Sequence, residues 1–175
     1  MQRQPTSPVL YVFAGLPGVG KSTLAQSLAG ARGAVYLRID TVEQALRELC
    51  GIEVEGEGYR LAYRVAADNL PLGVSVVADS CNPIELTRDE WEHVAAESGS
   101  RHVNIEVVCS DPTEHRGRVE SRVAATGGHP QPTWADVQRR EYHPWTRPRV
   151  VVDTRGRSAD ACFEELLSAL ARDGL

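Results

Sequence analysis

With 175 residues, 42% of them hydrophobic, the chain has enough apolar material for one core, and we expect a single domain. A net charge of −5 and a pI near 5.5 argue against an extended nucleic-acid-binding surface, so small substrates are favoured over polymers. No apolar stretch approaches membrane-spanning length, and the first residues lack a signal-peptide core, so we expect a flexible tail over residues 1–8 and a cytoplasmic protein.

Cysteine and histidine spacing gives no sign of a metal centre. The four cysteines are far apart and form no C-x-x-C pair, and the five histidines show no ligand spacing. We therefore expect neither zinc nor a disulfide framework, but buried free thiols in a reducing compartment. The cysteines are Cys50, Cys81, Cys109 and Cys162.

The first predicted elements are a strand over Val9–Ala14 and a helix from Ser22 to Ala29 that Gly30 closes. Between them lies Gly-Leu-Pro-Gly-Val-Gly-Lys-Ser-Thr, a full match to the phosphate-binding loop pattern. Its glycines let backbone N–H groups turn toward phosphate oxygens, and the helix N-terminus adds a partial positive charge. Strand, glycine loop and helix in this order predict binding of a nucleoside triphosphate.

Lys21 is the only lysine of the chain, whereas the other eighteen basic residues are arginines. We expect it to reach the β- and γ-phosphates and the Ser22 hydroxyl to bind magnesium. The nucleotide-binding residues predicted from this loop are Gly15, Pro17, Gly18, Val19, Gly20, Lys21, Ser22 and Thr23.

Further along the chain, apolar runs alternate with helical patterns, which predicts a parallel sheet with helices on both faces. The remaining strands are predicted at Ala34–Ile39, Val74–Ala78, Val103–Val108 and Val150–Val152. The remaining helices are predicted at Thr41–Cys50 and Gly58–Leu70, from a capping box at Thr87 to about Ser98, from Asp111, from Thr133 and at Ala159–Ala171.

Three of these strands are followed by an aspartate, and ligands of parallel sheets bind beyond the carboxyl ends of the strands. Asp40 is placed to accept the proton of an attacking hydroxyl, although it also fits the N-cap of the next helix. Asp79 has the form of a magnesium-binding aspartate, with a turn cap as its alternative. Asp153 is placed either to contact the nucleotide base or to begin the final turn.

Two more polar residues flank these positions. Asn82 is placed to hydrogen-bond a polar substrate, although Asn82-Pro83 is also a common turn initiator. Arg38 either meets substrate or pairs with an acid. The predicted substrate-contacting set is therefore Asp40, Arg38, Asp79 and Asn82.

A lid is predicted over about residues 112–145, where arginines precede a Gly/Pro-rich stretch. Arg118 and Arg122 share a helix face and are the arginines expected to neutralise transition-state charge, with Arg118 also contacting nucleotide. The alternative is a solvated basic face that pairs with neighbouring glutamates. Trp134 and Tyr142 follow, and either stack on a base or serve packing.

The phosphate loop, Asp40, Val-Val-Ala-Asp79-Ser-Cys-Asn82, the arginines and the ending Val-Val-Val-Asp153-Thr together resemble the small P-loop kinases of the AAA_33 or zeta-toxin-like type. That group includes the kinase domains of polynucleotide kinases and chloramphenicol phosphotransferase. The resemblance implies a five-stranded parallel sheet in the order 2-3-1-4-5, ATP with Mg²⁺, and Asp40 as the base. The chain departs from the group in its acidic segment with Glu53, Glu55 and Glu57, which would repel a phosphate-bearing acceptor if it lined that site.

We therefore expect an α/β P-loop kinase that moves the γ-phosphate of ATP to a hydroxyl of a small molecule, as a monomer or homodimer and with no membrane contact. One alternative is a polynucleotide 5′-hydroxyl kinase. A second, from another class, is a nucleotide-dependent regulatory ATPase or switch, which would bind and slowly hydrolyse nucleotide without an acceptor.

Overall fold

The computed structural model describes residues 7–125 and 131–175, with the side chains of residues 123–125 outside the description. Five parallel strands form one sheet in the order β2-β3-β1-β4-β5, which confirms the predicted fold class and strand order. The strands are β1 (Val9–Ala14), β2 (Val35–Arg38), β3 (Val76–Asp79), β4 (Arg101–Val108) and β5 (Val150–Asp153). The helices are α1 (Lys21–Arg32), α2 (Ile39–Cys50), α3 (Glu57–Asn69), α4 (Glu85–Glu97), α5 (Pro112–Ala125), α6 (Trp134–Arg139) and α7 (Ala159–Arg172), with a 3₁₀ turn at Leu70–Leu72.

The central strand β1 supplies both layers of the core, because successive side chains of a strand point to opposite faces. Tyr11 and Phe13 pack with α1 and α7, whereas Leu10 and Val12 pack with α3 and α4 around the fully buried Trp91. Every residue of β1 is buried, which explains why its sequence is a continuous apolar run.

The sheet register places the ends of three neighbouring strands at one edge. Arg38 of β2 lies opposite Asp79 of β3, which lies opposite Phe13 of β1. The loops after these strands therefore leave the sheet side by side, and they bring the phosphate loop next to the start of α2.

Two helix boundaries differ from the prediction. Helix α1 continues through Gly30 to Arg32 and is closed by Gly33, whose φ of 60° is a left-handed conformation that favours glycine. Helix α2 begins at Ile39, so the prediction of Asp40 as its N-cap is wrong; Arg38 occupies that position, without a side-chain cap. Asp40 instead lies in the first helical turn, where its negative charge suits the helix dipole.

The predicted helix starts further along the chain have mixed outcomes. The capping box at Thr87 is wrong because α4 begins at Glu85, and the Thr87 hydroxyl donates to the carbonyl of Ile84 instead. The start at Asp111 is confirmed, since its carboxylate accepts from the backbone N–H groups of two following residues. Thr133 forms a full capping box with Asp136.

Several other predictions fall partly outside the described residues. The first six residues of the predicted tail and residues 126–130 of the predicted lid are among them. All four cysteines are free as predicted, but only Cys162 is buried and Cys50 is exposed. Among the described helices, none is long and apolar enough to cross a membrane.

Candidate nucleotide-binding and phosphoryl-transfer site

The phosphate loop owes its path to glycines at positions that exclude a side chain. A Cβ added to Gly15 would lie 2.3 Å from the carbonyl oxygen of Val107, and one added to Gly18 would lie 2.5 Å from a methyl of Val119. Both glycines and Gly20 have positive φ, which glycine adopts without strain. The tight packing therefore explains why the loop needs glycine, beyond the need for close approach to a phosphate.

Lys21 opens α1 and points back over the loop, where it is 8% exposed. Its Nζ donates to Oδ1 of Asp79 at 2.8 Å, while the hydroxyl of Tyr36 donates to Oδ2 of Asp79 at 2.6 Å. Burial would raise the pKa of Asp79, but the Lys21 ammonium and these hydrogen bonds outweigh it and lower that pKa below its usual value. Burial and the bond to Asp79 raise the pKa of Tyr36, so its hydroxyl remains a donor.

The oxygen donors that fit magnesium are Ser22 and Asp79. Ser22 follows Lys21, whose ammonium bonds Asp79, and the Ser22 side chain lies near enough to that carboxylate to help lower its pKa after the larger effect of Lys21, so a hydroxyl and a carboxylate lie together beside the phosphate loop. Within residues 7–125 and 131–175, no group of three or more His, Cys, Asp or Glu side chains could hold a metal by itself. This donor set fits a Mg²⁺ ion that takes its other ligands from phosphate oxygens and water.

A cavity of about 840 Å³ joins the phosphate loop to helix α2. One wall includes Gly18, Lys21 and Ser22, and the opposite wall includes Arg38 and Asp40. Further polar residues of α2 continue this second wall, and they are Thr41, Glu43, Gln44, Arg47 and Glu48. The cavity has room for a small molecule beside the phosphate-binding loop.

Asp40 lies on the rim of this cavity with its side chain 66% exposed. Its Oδ2 is 3.6 Å from the guanidinium of Arg38, so Arg38 pairs with an acid and also faces the cavity. Sequence reasoning expected both residues at the substrate, and the structure brings them to one wall.

Six residues of the predicted site do not line the cavity, and they are Gly15, Val19, Asp79, Asn82, Arg118 and Asp153. Asn82 is fully buried with a left-handed φ of 44°, and its amide donates to the carbonyl of Phe13 at 2.6 Å, an arrangement that serves the loop after β3. Asp153 accepts hydrogen bonds from the backbone and hydroxyl of Ser110. Asp79 lies behind Lys21 rather than on the cavity surface.

The three arginines of α5 face different surroundings. Arg122 lines the cavity. Arg118 instead donates to the hydroxyl and carbonyl oxygens of Thr154 at 2.8 and 3.0 Å, and to Glu114 at 2.6 Å. Arg116 pairs with Glu120 at the surface.

Sequence reasoning missed Arg140, which follows α6 and lines the cavity. Lys21, Asp40 and Cys81 line the same cavity, so the Arg140 side chain belongs to the same site as these groups. No sequence motif marks Arg140, since only the tertiary fold brings the end of α6 to the phosphate loop and α2. Tyr36 was missed for the same reason, because its hydroxyl reaches Asp79 across neighbouring strands.

The aromatic residues Trp134 and Tyr142 serve packing in the structure. Trp134 contacts the ring of His115 edge-on at 5.1 Å, and the Tyr142 hydroxyl donates to Glu106. A fully buried Arg88 holds this region together, with its guanidinium 3.9 Å above the Trp145 ring. The acidic segment with Glu53, Glu55 and Glu57 does not line the cavity, so it does not oppose an anionic ligand there.

The five-stranded parallel sheet and the glycine loop at its carboxyl edge define a P-loop NTPase fold. The chain belongs to the AAA_33 family, described as an AAA domain, whose family model matches residues 10–144. No sequence among curated proteins matches this chain.

Solved structures with this fold include proteins named as kinases. A gluconokinase from Sinorhizobium meliloti 1021 is 20% identical with a TM-score of 0.69, covering 95% of this chain and 93% of its own. The APS kinase CysC of Mycobacterium tuberculosis, in complex with AMPPNP and APS, is 21% identical with a TM-score of 0.69, covering 95% and 99%. Kti12 of Chaetomium thermophilum, in complex with ADP-AlF3, is 18% identical with a TM-score of 0.68, covering 91% and 98%. At these identities the likeness shows the fold alone.

Proposed function

We propose that this protein is an ATP-dependent kinase that transfers the γ-phosphoryl group to a hydroxyl of a small polar molecule. The observation that carries the proposal is that Lys21 and Asp40 line one cavity of about 840 Å³. A phosphate-binding group and a carboxylate at the rim of the same cavity are the two parts that phosphoryl transfer to an alcohol requires. The complexes of similar folds with AMPPNP and ADP-AlF3 support an adenine nucleotide.

The shape and charge of the cavity favour a polar acceptor. The α2 wall carries the arginines Arg38 and Arg47 and the carboxylates Glu43 and Glu48, so side chains of both signs face the space beyond the loop. Such a wall can hydrogen-bond hydroxyl groups through donors and acceptors alike. The acceptor in this proposal therefore binds between α2 and the phosphate loop.

In the proposed reaction, the oxygen of the acceptor hydroxyl attacks the γ-phosphorus while the Asp40 carboxylate takes the proton of that hydroxyl. The new phosphorus–oxygen bond forms while the bond to the β–γ bridging oxygen breaks, and ADP leaves. Lys21 exchanges its bond to Asp79 for the phosphate oxygens, and Arg122 and Arg140 neutralise charge on the transferring group. A magnesium ion held by Ser22 and Asp79 supplies further charge neutralisation when bound.

An acceptor screen tests the proposal by counting ADP release from ATP above the rate without acceptor. With an active hydroxyl compound, Asp40→Asn should lower kcat by about a hundredfold or more, because the general base is lost. Asp68→Asn is the matched control, since Asp68 is an exposed aspartate of α3 outside the cavity. Full turnover by the Asp40→Asn protein would contradict the role of Asp40.

The same screen separates the alternative functions. Transfer of labelled phosphate to a 5′-hydroxyl oligonucleotide would identify a polynucleotide kinase. ADP release that no acceptor accelerates, with no phosphorylated product, would overturn the kinase proposal in favour of a regulatory ATPase.

A further inference from the structure

Two carbonyl oxygens of the phosphate loop are held by side chains from distant parts of the chain. The Cys81 thiol, after β3, donates to the carbonyl of Gly15 with a sulfur–oxygen distance of 3.1 Å. The His115 ring, on α5, has its Nε2 2.8 Å from the carbonyl oxygen of Pro17. Because a carbonyl oxygen only accepts, Nε2 of His115 carries the proton in this contact.

A third carbonyl of the loop, that of Val19, is held by a residue that follows the edge strand β5. The hydroxyl of Thr154, after β5, lies 2.9 Å from the carbonyl oxygen of Val19 and 3.1 Å from that of Val108. Thr154 is 5% exposed, and Arg118 donates to its hydroxyl oxygen at 2.8 Å. The guanidinium takes a lone pair of this oxygen, so the hydroxyl proton is directed toward the carbonyls.

The carbonyls held in this way alternate along the loop at Gly15, Pro17 and Val19. In a trans peptide the N–H of the next residue points opposite to the carbonyl, and the described residues contain no cis peptide. Holding these three carbonyls outward therefore turns the next N–H groups inward. Those groups belong to Leu16, Gly18 and Gly20, all of which line the cavity.

The side chains that hold the loop carbonyls carry the protons they donate and are fixed in place by their surroundings. The Cys81 sulfur lies 3.1 Å from the carbonyl oxygen of Gly15, and because that oxygen only accepts, the thiol proton lies in this contact. His115 is 6% exposed, and its ring packs edge-to-face with the ring of Trp134 at a centroid distance of 5.1 Å, which limits its rotation. Each donor therefore occupies one fixed place around the loop.

We propose that Cys81, His115 and Thr154 are positioning residues that orient the anion-binding N–H groups of the phosphate loop. Arg118 is also a positioning residue, but it acts indirectly, because it orients the Thr154 hydroxyl that holds the loop. The inference rests on the nucleotide-binding part of the proposed function and is independent of whether phosphate is transferred. An ordered set of inward N–H groups binds a phosphate without the cost of arranging them when the ligand arrives.

The test is titration calorimetry of Mg·ADP, which places a β-phosphate at the loop and needs no acceptor. Thr154→Val removes the hydroxyl at nearly constant shape and should weaken Mg·ADP binding about fivefold to tenfold, whereas Thr154→Ser should restore most of the affinity. His115→Phe and His115→Gln form a second pair with the same expectation, because glutamine retains an N–H donor. If Thr154→Val fails to fold, the His115 pair decides the question.

Urea unfolding of each variant separates positioning from a general structural role. Thr146→Val, which alters an exposed threonine that bonds Glu85, is the control and should bind Mg·ADP as the native protein does. Native affinity in both Thr154→Val and His115→Phe would overturn the inference, as would equal losses in Thr154→Val and Thr154→Ser. Lowered stability with unchanged affinity would likewise show that these contacts only brace the fold. If Mg·ADP binds as expected but no acceptor is ever phosphorylated, the kinase proposal fails while this inference stands.

Discussion

The ammonium of Lys21 lies 2.8 Å from a carboxylate oxygen of Asp79, and both side chains are buried beneath the phosphate loop. Each charge compensates the other in a site shielded from water. Loss of one partner would leave the other as an unpaired buried charge, which is far costlier than loss of both.

Lys21→Met should therefore lower the free energy of unfolding by about 3 kcal/mol without nucleotide present. The double variant Lys21→Met/Asp79→Asn should recover at least half of that loss, because no charge is then left unpaired. Urea unfolding of both single variants and the double variant measures the coupling. Losses that simply add would show that the pair does not act as a unit.

The Tyr36 hydroxyl supports the same carboxylate from β2, at 2.6 Å. Tyr36→Phe should cost about 2 kcal/mol of stability, since a charge-assisted hydrogen bond to a buried group is lost. Tyr63→Phe is the matched control, because its hydroxyl makes only a long 3.4 Å contact with the carbonyl of Thr87 and its loss should cost less. Equal losses in the two variants would argue against a special role of Tyr36 at Asp79.

Arg88 is a fully buried arginine whose guanidinium donates to four backbone carbonyls. The acceptors are Asn82 at 3.0 Å, Pro83 at 3.2 Å, His143 at 2.9 Å and Pro144 at 3.1 Å. Arg88→Lys keeps the charge but not the planar fork, so we expect a loss of about 3 kcal/mol or more in urea unfolding.

Arg64→Lys, at an exposed position of α3, provides the control for that substitution. It should change stability by no more than about 0.5 kcal/mol. If Arg88→Lys changes the free energy of unfolding as little as this control does, a single ammonium group is enough to replace the planar guanidinium.

Asp136 caps α6 and should make the stability of this helix depend on pH. Hydrogen bonds from the hydroxyl and backbone of Thr133, with the bond from Arg139, lower the pKa of Asp136 from 3.8 to about 2. Because the folded-state pKa is the lower one, this contribution is complete above the unfolded pKa and is lost as the pH falls from about 4 toward 2.

Asp136→Asn removes the ionisable member of the capping box, and urea unfolding of this variant and of the native protein at several pH values measures its contribution. The difference in free energy of unfolding between native protein and variant should narrow as the pH is lowered from about 5 toward 2. A difference that stays constant over this range would contradict the assigned pKa.

The site shows where sequence patterns succeed and where they fail. The phosphate loop was predictable because its residues are consecutive and its glycines meet a local backbone requirement. Arg38 ends β2 and Asp40 lies two residues beyond it, and both line the cavity because the edge of a parallel sheet is a topological property that alternating apolar runs reveal. The alternative role of Asp40 as an N-cap is wrong because α2 begins at Ile39, two residues before the start that the capping pattern suggests.

Contacts between residues that lie far apart in the chain could not be predicted from the sequence. Arg118 and Arg122 lie four residues apart and look equivalent in the sequence, yet one anchors Thr154 and the other faces the cavity. Their surroundings come from β5 and from the phosphate loop, which no local pattern specifies. Arg140 is likewise one of eighteen arginines until the fold brings it to the cavity.

The sequence by itself thus determined the sheet, the phosphate loop and its lysine, because hydrophobic periodicity and glycine conformation act over a few neighbouring residues. Only the tertiary structure decided which side chains hold the loop carbonyls outward and which charges meet at the cavity. Hydrogen bonds and ion pairs depend on distances of about 3 Å between residues far apart in the chain, and those distances exist only once the strands have paired.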